Sequence, residues 1–280
     1  MLKGIFEEMA FPIIDLHCDL LFYLAAYPQR TPYDLVARCA LPQLHQGNVK
    51  LQTLAVFTET EPNWVQKAFQ QINLYQKLPV LYPNGFKHDF NDNLHSSVIG
   101  IKMAFENASG FCAEKESLAD GIMRLNHIVR DIAKPLYISL TWNSENRFGG
   151  GALTSVGIKP DGKHLLDELH QKRIAVDLSH ASDALAYDII DYIVGRDLDI
   201  PLMASHSNAR ALAAAPRNLP DELAQEVFRR NGIIGLNFCR KFLGEHEDSL
   251  LKHIVHWLEL GGENHIALGA DFFYEEDFPT

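Results

Sequence analysis

Residues 163–206 read KHLLDELHQKRIAVDLSHASDALAYDIIDYIVGRDLDIPLMASH. A stretch of helical period (163–173) runs into a short apolar strand candidate (174–178). A second helical stretch (181–195), opened by Ser182 as an N-cap, runs into a second strand candidate (201–204). Helices alternating with apolar strands imply parallel strands joined by helical crossovers.

The same alternation extends in both directions. Further strand candidates lie at 12–16, 49–57, 97–105, 135–141, 233–238 and 265–270, and further helical stretches at 117–133, 221–232 and 249–262. Eight apolar strands predict an α/β fold of the (β/α)8 TIM-barrel type rather than an open doubly wound sheet. No Gly-x-Gly-x-x-Gly follows the first strand and no Walker A pattern occurs, so the usual marks of a nucleotide-binding sheet are missing. With no internal repeat or linker, residues 1–280 are expected to form one domain. The Asn-, Gly- and Ser-rich stretch 143–162 is expected to be a functional loop. Beyond the eighth strand only FFYEEDFPT (272–280) remains, without helical period, so the barrel is expected to lack its final helix in this chain.

Composition narrows the function. Lys and Arg total 25 against 36 Asp and Glu, a formal net charge of −11, which argues against nucleic acid or an anionic membrane as partner. No apolar run is long enough for a signal peptide or a membrane span. The four cysteines, Cys18, Cys39, Cys112 and Cys239, form no Cys-x-x-Cys; reduced thiols in a cytoplasmic protein are expected.

A TIM-type barrel carries its active site at the C-terminal strand ends, and metal-ligand types gather there: His17 and Asp19, Glu106, His180, His206 and Asp271. His17 and Asp19, two apart on a strand, face one side while Cys18 faces the other, so the pair can hold one cation. His180 and His206, from adjacent strands, can hold a second, and Glu106 has two oxygens with which to bridge. Imidazoles with carboxylates are a zinc-type donor set. Taken singly, each residue has a plainer reading, a hydrogen-bonded strand-end His, a loop Glu or a turn Asp; it is their joint placement on one rim that points to metal.

The ordered motifs IIDLHCD (13–19), Glu106, YISLTWNSENRFGGG (137–151), VDLSHAS (176–182), SHSNAR (205–210), PRNLPDE (216–222) and LGADF (268–272) resemble the membrane or renal dipeptidases, peptidase family M19. The resemblance covers nearly the whole chain. It implies two zinc ions per subunit, one on His17 and Asp19, the other on His180 and His206, with Glu106 bridging. It also implies that Arg217 pairs with the substrate carboxylate and that Asp271 shuttles the proton from a metal-bridging water to the leaving amine of a short peptide, C-terminal D-residues included. Homodimerisation is a further implication.

Three positions depart from the family pattern. Trp142 stands where many members have a substrate-binding His, leaving that role to Asn143 or Asn146; Asn107 stands where a Gly is usual; and Cys239 stands where mammalian members have a Tyr. Two other readings remain open: hydrolysis of an N-acyl amino acid, lactam or lactone on the same centre, and a metal-binding barrel without catalysis.

Overall fold

The computed structural model describes residues 11–88 and 96–277. Its nine strands, all paired in parallel, are β1 (Ile13–Cys18), β2 (Val49–Phe57), β3 (Phe86–Lys87), β4 (Ile99–Glu106), β5 (Tyr137–Ser139), β6 (Ala175–Asp177), β7 (Leu202–Ala204), β8 (Ile233–Leu236) and β9 (Ile266–Leu268). β1 pairs with both β2 and β9, and β2 pairs with β4, so eight strands close into a ring. The two-residue β3 lies outside the ring, against the start of β4. Closure through β1 and β9 makes this the expected (β/α)8 barrel and excludes the open sheet.

Helices α1 (Leu20–Ala26), α2 (Leu41–Gln46), α3 (Trp64–Leu81), α4 (Leu118–His127), α5 (Pro160–Lys172), α6 (Asp183–Arg196), α7 (Asp221–Arg229), α8 (Arg240–Leu243) and α9 (Ser249–Glu259) fill the connections. In α6 the Ser182 hydroxyl accepts from the Leu185 amide at 3.0 Å, and the buried stripe Leu185, Ala186, Ile189, Ile190 and Ile193 faces the sheet. Its C-terminus is capped by Asp197 in the left-handed conformation (φ 52°) rather than at Gly195.

The helices differ from the sequence pattern in more than one place, and α1, α2, α3 and α8 have no counterpart among its helical stretches. The stretch 117–133 is an α-helix only to His127. It then widens into a π-turn, Ile128–Ile132, in which the Ala133 amide donates to Ile128 O at 3.0 Å. α3 was not anticipated, in part because Pro79 stands in its last turns. Proline leaves the Tyr75 carbonyl without its helical donor, and the His88 ring fills the gap, Nε2 at 3.0 Å from Tyr75 O.

The outward faces of the strands and the inward faces of the helices share one large apolar core. Inside the barrel a second, small cluster, Leu16, Ala104, Tyr137, Ala175 and Met203, forms a floor beneath the C-terminal rim. After β9 the described residues contain only a three-residue turn, Glu275–Asp277. Arg30 donates to both oxygens of Asp277 and lies over the Tyr23 ring, tying that segment to α1. Among the described residues no helix is long and apolar enough to cross a membrane.

Candidate active site

Six side chains converge at the C-terminal rim. His17 Nε2 lies 3.3 Å from Glu106 Oε2, 3.7 Å from Asp271 Oδ1 and 4.0 Å from Asp19 Oδ1. The other Glu106 oxygen, Oε1, lies 2.8 Å from His180 Nε2 and 3.6 Å from His206 Nε2, and the two Nε2 atoms are 3.1 Å apart. Glu106 thus presents one oxygen to His17 and the other to the His180 and His206 pair. The ligand atoms fall into compact groups: His17, Asp19 and Glu106; Glu106, His180 and His206; His17, His206 and Asp271. Asp19 arrives differently from the expectation: β1 ends at Cys18, and Asp19 occupies the turn that opens α1. Cys18 does face away, into the outer core.

Each imidazole is oriented by its far nitrogen. The Tyr137 hydroxyl donates to Leu16 O at 3.1 Å, so toward His17 Nδ1, 2.7 Å away, it can only accept. The Ser205 hydroxyl donates to Asp177 Oδ2 and accepts from His206 Nδ1, both at 2.7 Å. His180 Nδ1 donates to Asn143 Oδ1 at 2.9 Å. In the neutral form of all three rings the proton therefore belongs on Nδ1, and the Nε2 lone pair faces the shared centre, the tautomer a metal ligand needs.

Behind the ligands stand two buried carboxylates. Asp177 Oδ1 accepts the amides of Ser179 and Ser205, and its Oδ2 accepts the hydroxyls of Ser139 and Ser205. Asp15 Oδ1 accepts the amides of His17 and Ala270, stapling β1 to the segment that carries Asp271. Gly235 and Gly269 make room for the strand beneath His206: a Cβ on either would stand 1.9 or 2.0 Å from Ser205 O.

The rim stores backbone strain. His180 (φ 64°), Asp271 (φ 58°) and Asn107 (φ 89°) all hold positive φ without being glycine. At Asn107 the backbone holds a conformation that glycine would adopt freely. Here the amide side chain offsets the strain, donating to Thr58 O (2.9 Å) and Thr60 Oγ1 (3.2 Å) and accepting from the Ser109 amide (3.0 Å) and from Asn146 (3.0 Å).

Without a cation the carboxylates conflict. Burial, with Glu106 nearby, pushes Asp19 well above the usual carboxylate range. Burial also lifts Asp271 to about 6, against the pull of His17. Burial alone would lower His17, but Glu106, Asp19 and Asp271 outweigh it and raise it to about 10. His180 is pushed down to about 4 by burial and by Arg217.

A cavity of about 350 Å³ opens over this cluster, lined by Asp19, Glu106, His180 and Asp271 on its floor and by Phe57, Trp142, Leu153 and Phe242 on its apolar walls. Arg217 lines it too. The guanidinium is buried and fixed by donation from Nη1 to Ser207 Oγ (3.0 Å) and from Nη2 to His206 O (2.9 Å), while Nε has no partner among the described residues. Asn143 lines the cavity, but its oxygen is committed to His180, leaving the amide nitrogen for a substrate. Asn146 is spent inside the loop, donating to Leu140 O and accepting from the Phe148 and Gly149 amides. Trp142 packs edge-on against Phe57, ring centres 5.1 Å apart, and makes an apolar wall of the cavity.

Tyr137, Asp177, Ser205 and Asn237 had not been singled out. Tyr137, Asp177 and Ser205 lie inside the quoted motifs and Asn237 two residues before Cys239, but their task depends on which ring or carboxylate they touch across the barrel. Asn237 Nδ2 donates to Asp271 Oδ2 at 2.7 Å and holds that carboxylate over His17.

The family model described as membrane dipeptidase, peptidase family M19, matches residues 7–279. An uncharacterized dipeptidase of Schizosaccharomyces pombe is 28% identical over 314 residues, covering 96% of this chain and 71% of the relative. Among solved structures, a dipeptidase AC of family M19 superposes with a TM-score of 0.80 at 21% identity, over 94% of this chain and 86% of that one. A metallo peptidase of Rhodobacter sphaeroides, liganded with a phosphinate mimic of the dipeptide L-Ala-D-Ala, superposes with a TM-score of 0.77 at 21% identity over the same shares.

Proposed function

This chain belongs to the membrane dipeptidases of peptidase family M19, and from that membership we propose that it is a binuclear zinc dipeptidase cleaving short peptides, those ending in a D-residue included. The observation that carries the reading is the two-sided presentation of Glu106, with three imidazoles whose Nε2 lone pairs converge on it.

The donor set fits two divalent cations. When ionised, Asp19, Glu106 and Asp271 bring three negative charges to one buried centre, and Arg217 faces Asp271 and Glu106. His17 Nε2 and Asp19 Oδ1 are buried with no hydrogen-bond partner among the described residues, and such atoms are costly unless something occupies them. His17 and Asp19 would hold one ion, His180 and His206 the other, with Glu106 between them. When bound, the ions acidify a water and polarise the scissile carbonyl.

The remaining steps fall to this chain's own groups. Arg217, its guanidinium anchored at Ser207 and His206, takes the substrate's terminal carboxylate. Asp271, lifted toward neutrality by burial, accepts a proton at Oδ1 from the attacking water and delivers it to the departing amine, while Asn237 keeps Oδ2 in place. Phe57, Trp142 and Phe242 exclude water from one side of the substrate. The D-residue tolerance draws support from the family and from the ligand carried by the Rhodobacter sphaeroides relative.

The test is a matrix of L,L and L,D dipeptides beside N-acyl amino acids and lactones, with metal content measured on the same sample. About two zincs per chain with dipeptide turnover is the expected result. Turnover of N-acyl amino acids or lactones alone moves the reaction to the wider amide-hydrolase reading, and two zincs without turnover moves the chain to a binding role.

A further inference from the structure

A second cavity, of about 490 Å³, adjoins the first and shares with it Cys239, Lys241, Asp271 and Phe273. Its character is different. Where the active-site cavity has largely apolar walls beyond its floor, this one is bordered by three cations, Arg38, Arg240 and Lys241, around a base of Phe238 and Phe272. Asp271 is the one acid among its lining residues, and that carboxylate already faces His17. In a chain of net charge −11, Arg240 and Lys241 side by side at a recess next to the reacting groups are a local reversal of the overall field. Arg240 and Lys241 are exposed, and neither forms an ion pair among the described residues, so their charge is available to a ligand.

We propose that this second cavity is a subsite for an anionic side chain, and that the preferred substrates are dipeptides whose C-terminal residue is acidic. The proposal rests on the peptidase reading above. Arg217 already accounts for the terminal carboxylate, so Arg240 and Lys241 are surplus to it and match a second negative charge. The position follows from Asp271. It protonates the departing nitrogen, which belongs to the C-terminal residue, and it forms part of the wall between the two cavities. The side chain nearest Asp271 is therefore that of the C-terminal residue. The carboxylate of that side chain meets the cations, and its methylene groups lie against Phe238 and Phe272.

The test compares acids with their isosteric amides on the zinc-loaded full chain: Ala-Asp against Ala-Asn and Ala-Glu against Ala-Gln, in both configurations of the second residue, with Asp-Ala against Asn-Ala as the positional control. The acidic member of the first two pairs should have the higher kcat/KM, by about tenfold at low salt and less at high salt. Arg240→Gln should pull that ratio toward one, Arg240→Glu should invert it, and Arg240→Lys should keep it. Because each readout is a ratio within one preparation, partial misfolding does not mimic the effect. Equal turnover of acid and amide overturns the subsite and leaves the dipeptidase reading standing, as does a preference confined to Asp-Ala. Failure to cleave any dipeptide overturns both.

Discussion

The Tyr137 hydroxyl stands 2.7 Å from Nδ1 of His17 while giving its own proton to the Leu16 carbonyl. A residue of the barrel floor thereby decides which nitrogen of a rim imidazole carries hydrogen. Tyr137→Phe removes that acceptor without changing the ring's volume. Metal affinity is expected to fall about 10- to 100-fold, as for other outer partners of ligating histidines. Zinc titration of the variant measures it; affinity equal to that of the parent would show that His17 is oriented by its ligands alone.

Asp271→Asn tests the proton carrier. Its left-handed backbone is one that Asn adopts readily, and the contact to Asn237 can be kept after an amide flip, so the fold should survive. An amide cannot carry the proton, so kcat is expected to drop by about two to four orders of magnitude, while zinc content stays near that of the parent. Wild-type turnover in a zinc-replete variant would remove Asp271 from proton transfer.

The alternation around VDLSH and SHSNAR was enough to place His180 and His206 just past the C-terminal ends of neighbouring strands, because strand order in a parallel barrel follows chain order. The nearness of the two imidazoles was legible for that reason. The Asp177–Ser205–His206 chain was not, since it depends on a hydroxyl rotamer and on contacts across β6 and β7 that no local pattern encodes. Asp19 shows a subtler limit: the period-two argument reached the right side chain by the wrong local structure, since the strand ends one residue earlier. α3 stayed hidden behind Pro79, whose orphaned carbonyl is satisfied by His88. The second cavity was illegible too, because Arg38 lies some two hundred positions before Arg240 and Lys241.

Arg217→Ala separates binding from chemistry. The guanidinium touches the backbone of His206 but none of the carboxylates of the centre within hydrogen-bond distance. Its loss should mainly raise KM for substrates with a free carboxylate, by about 10- to 1000-fold, with a smaller change in kcat. The comparison is with the same dipeptides amidated at the C-terminus. An equal loss on both series would assign Arg217 to holding the His206 strand end rather than the substrate.

Asn107 follows Glu106 with φ 89°, a conformation that only glycine adopts freely, and its amide makes four hydrogen bonds that stitch together the loops after β2, β4 and β5. Two substitutions divide these effects. Asn107→Gly relieves the backbone but abandons the hydrogen bonds, and Asn107→Ala abandons the bonds and keeps the strain. Each lost buried partner costs about 1 kcal/mol or more, and the backbone strain adds about 1–3 kcal/mol for the alanine alone. Both variants should therefore melt below the parent, with Ala clearly the lower of the two. The Glu106 side of the centre should loosen in the same order, read as zinc released at a fixed chelator concentration. If Ala and Gly melt together, the strained backbone contributes nothing, and Asn107 acts through its hydrogen bonds only.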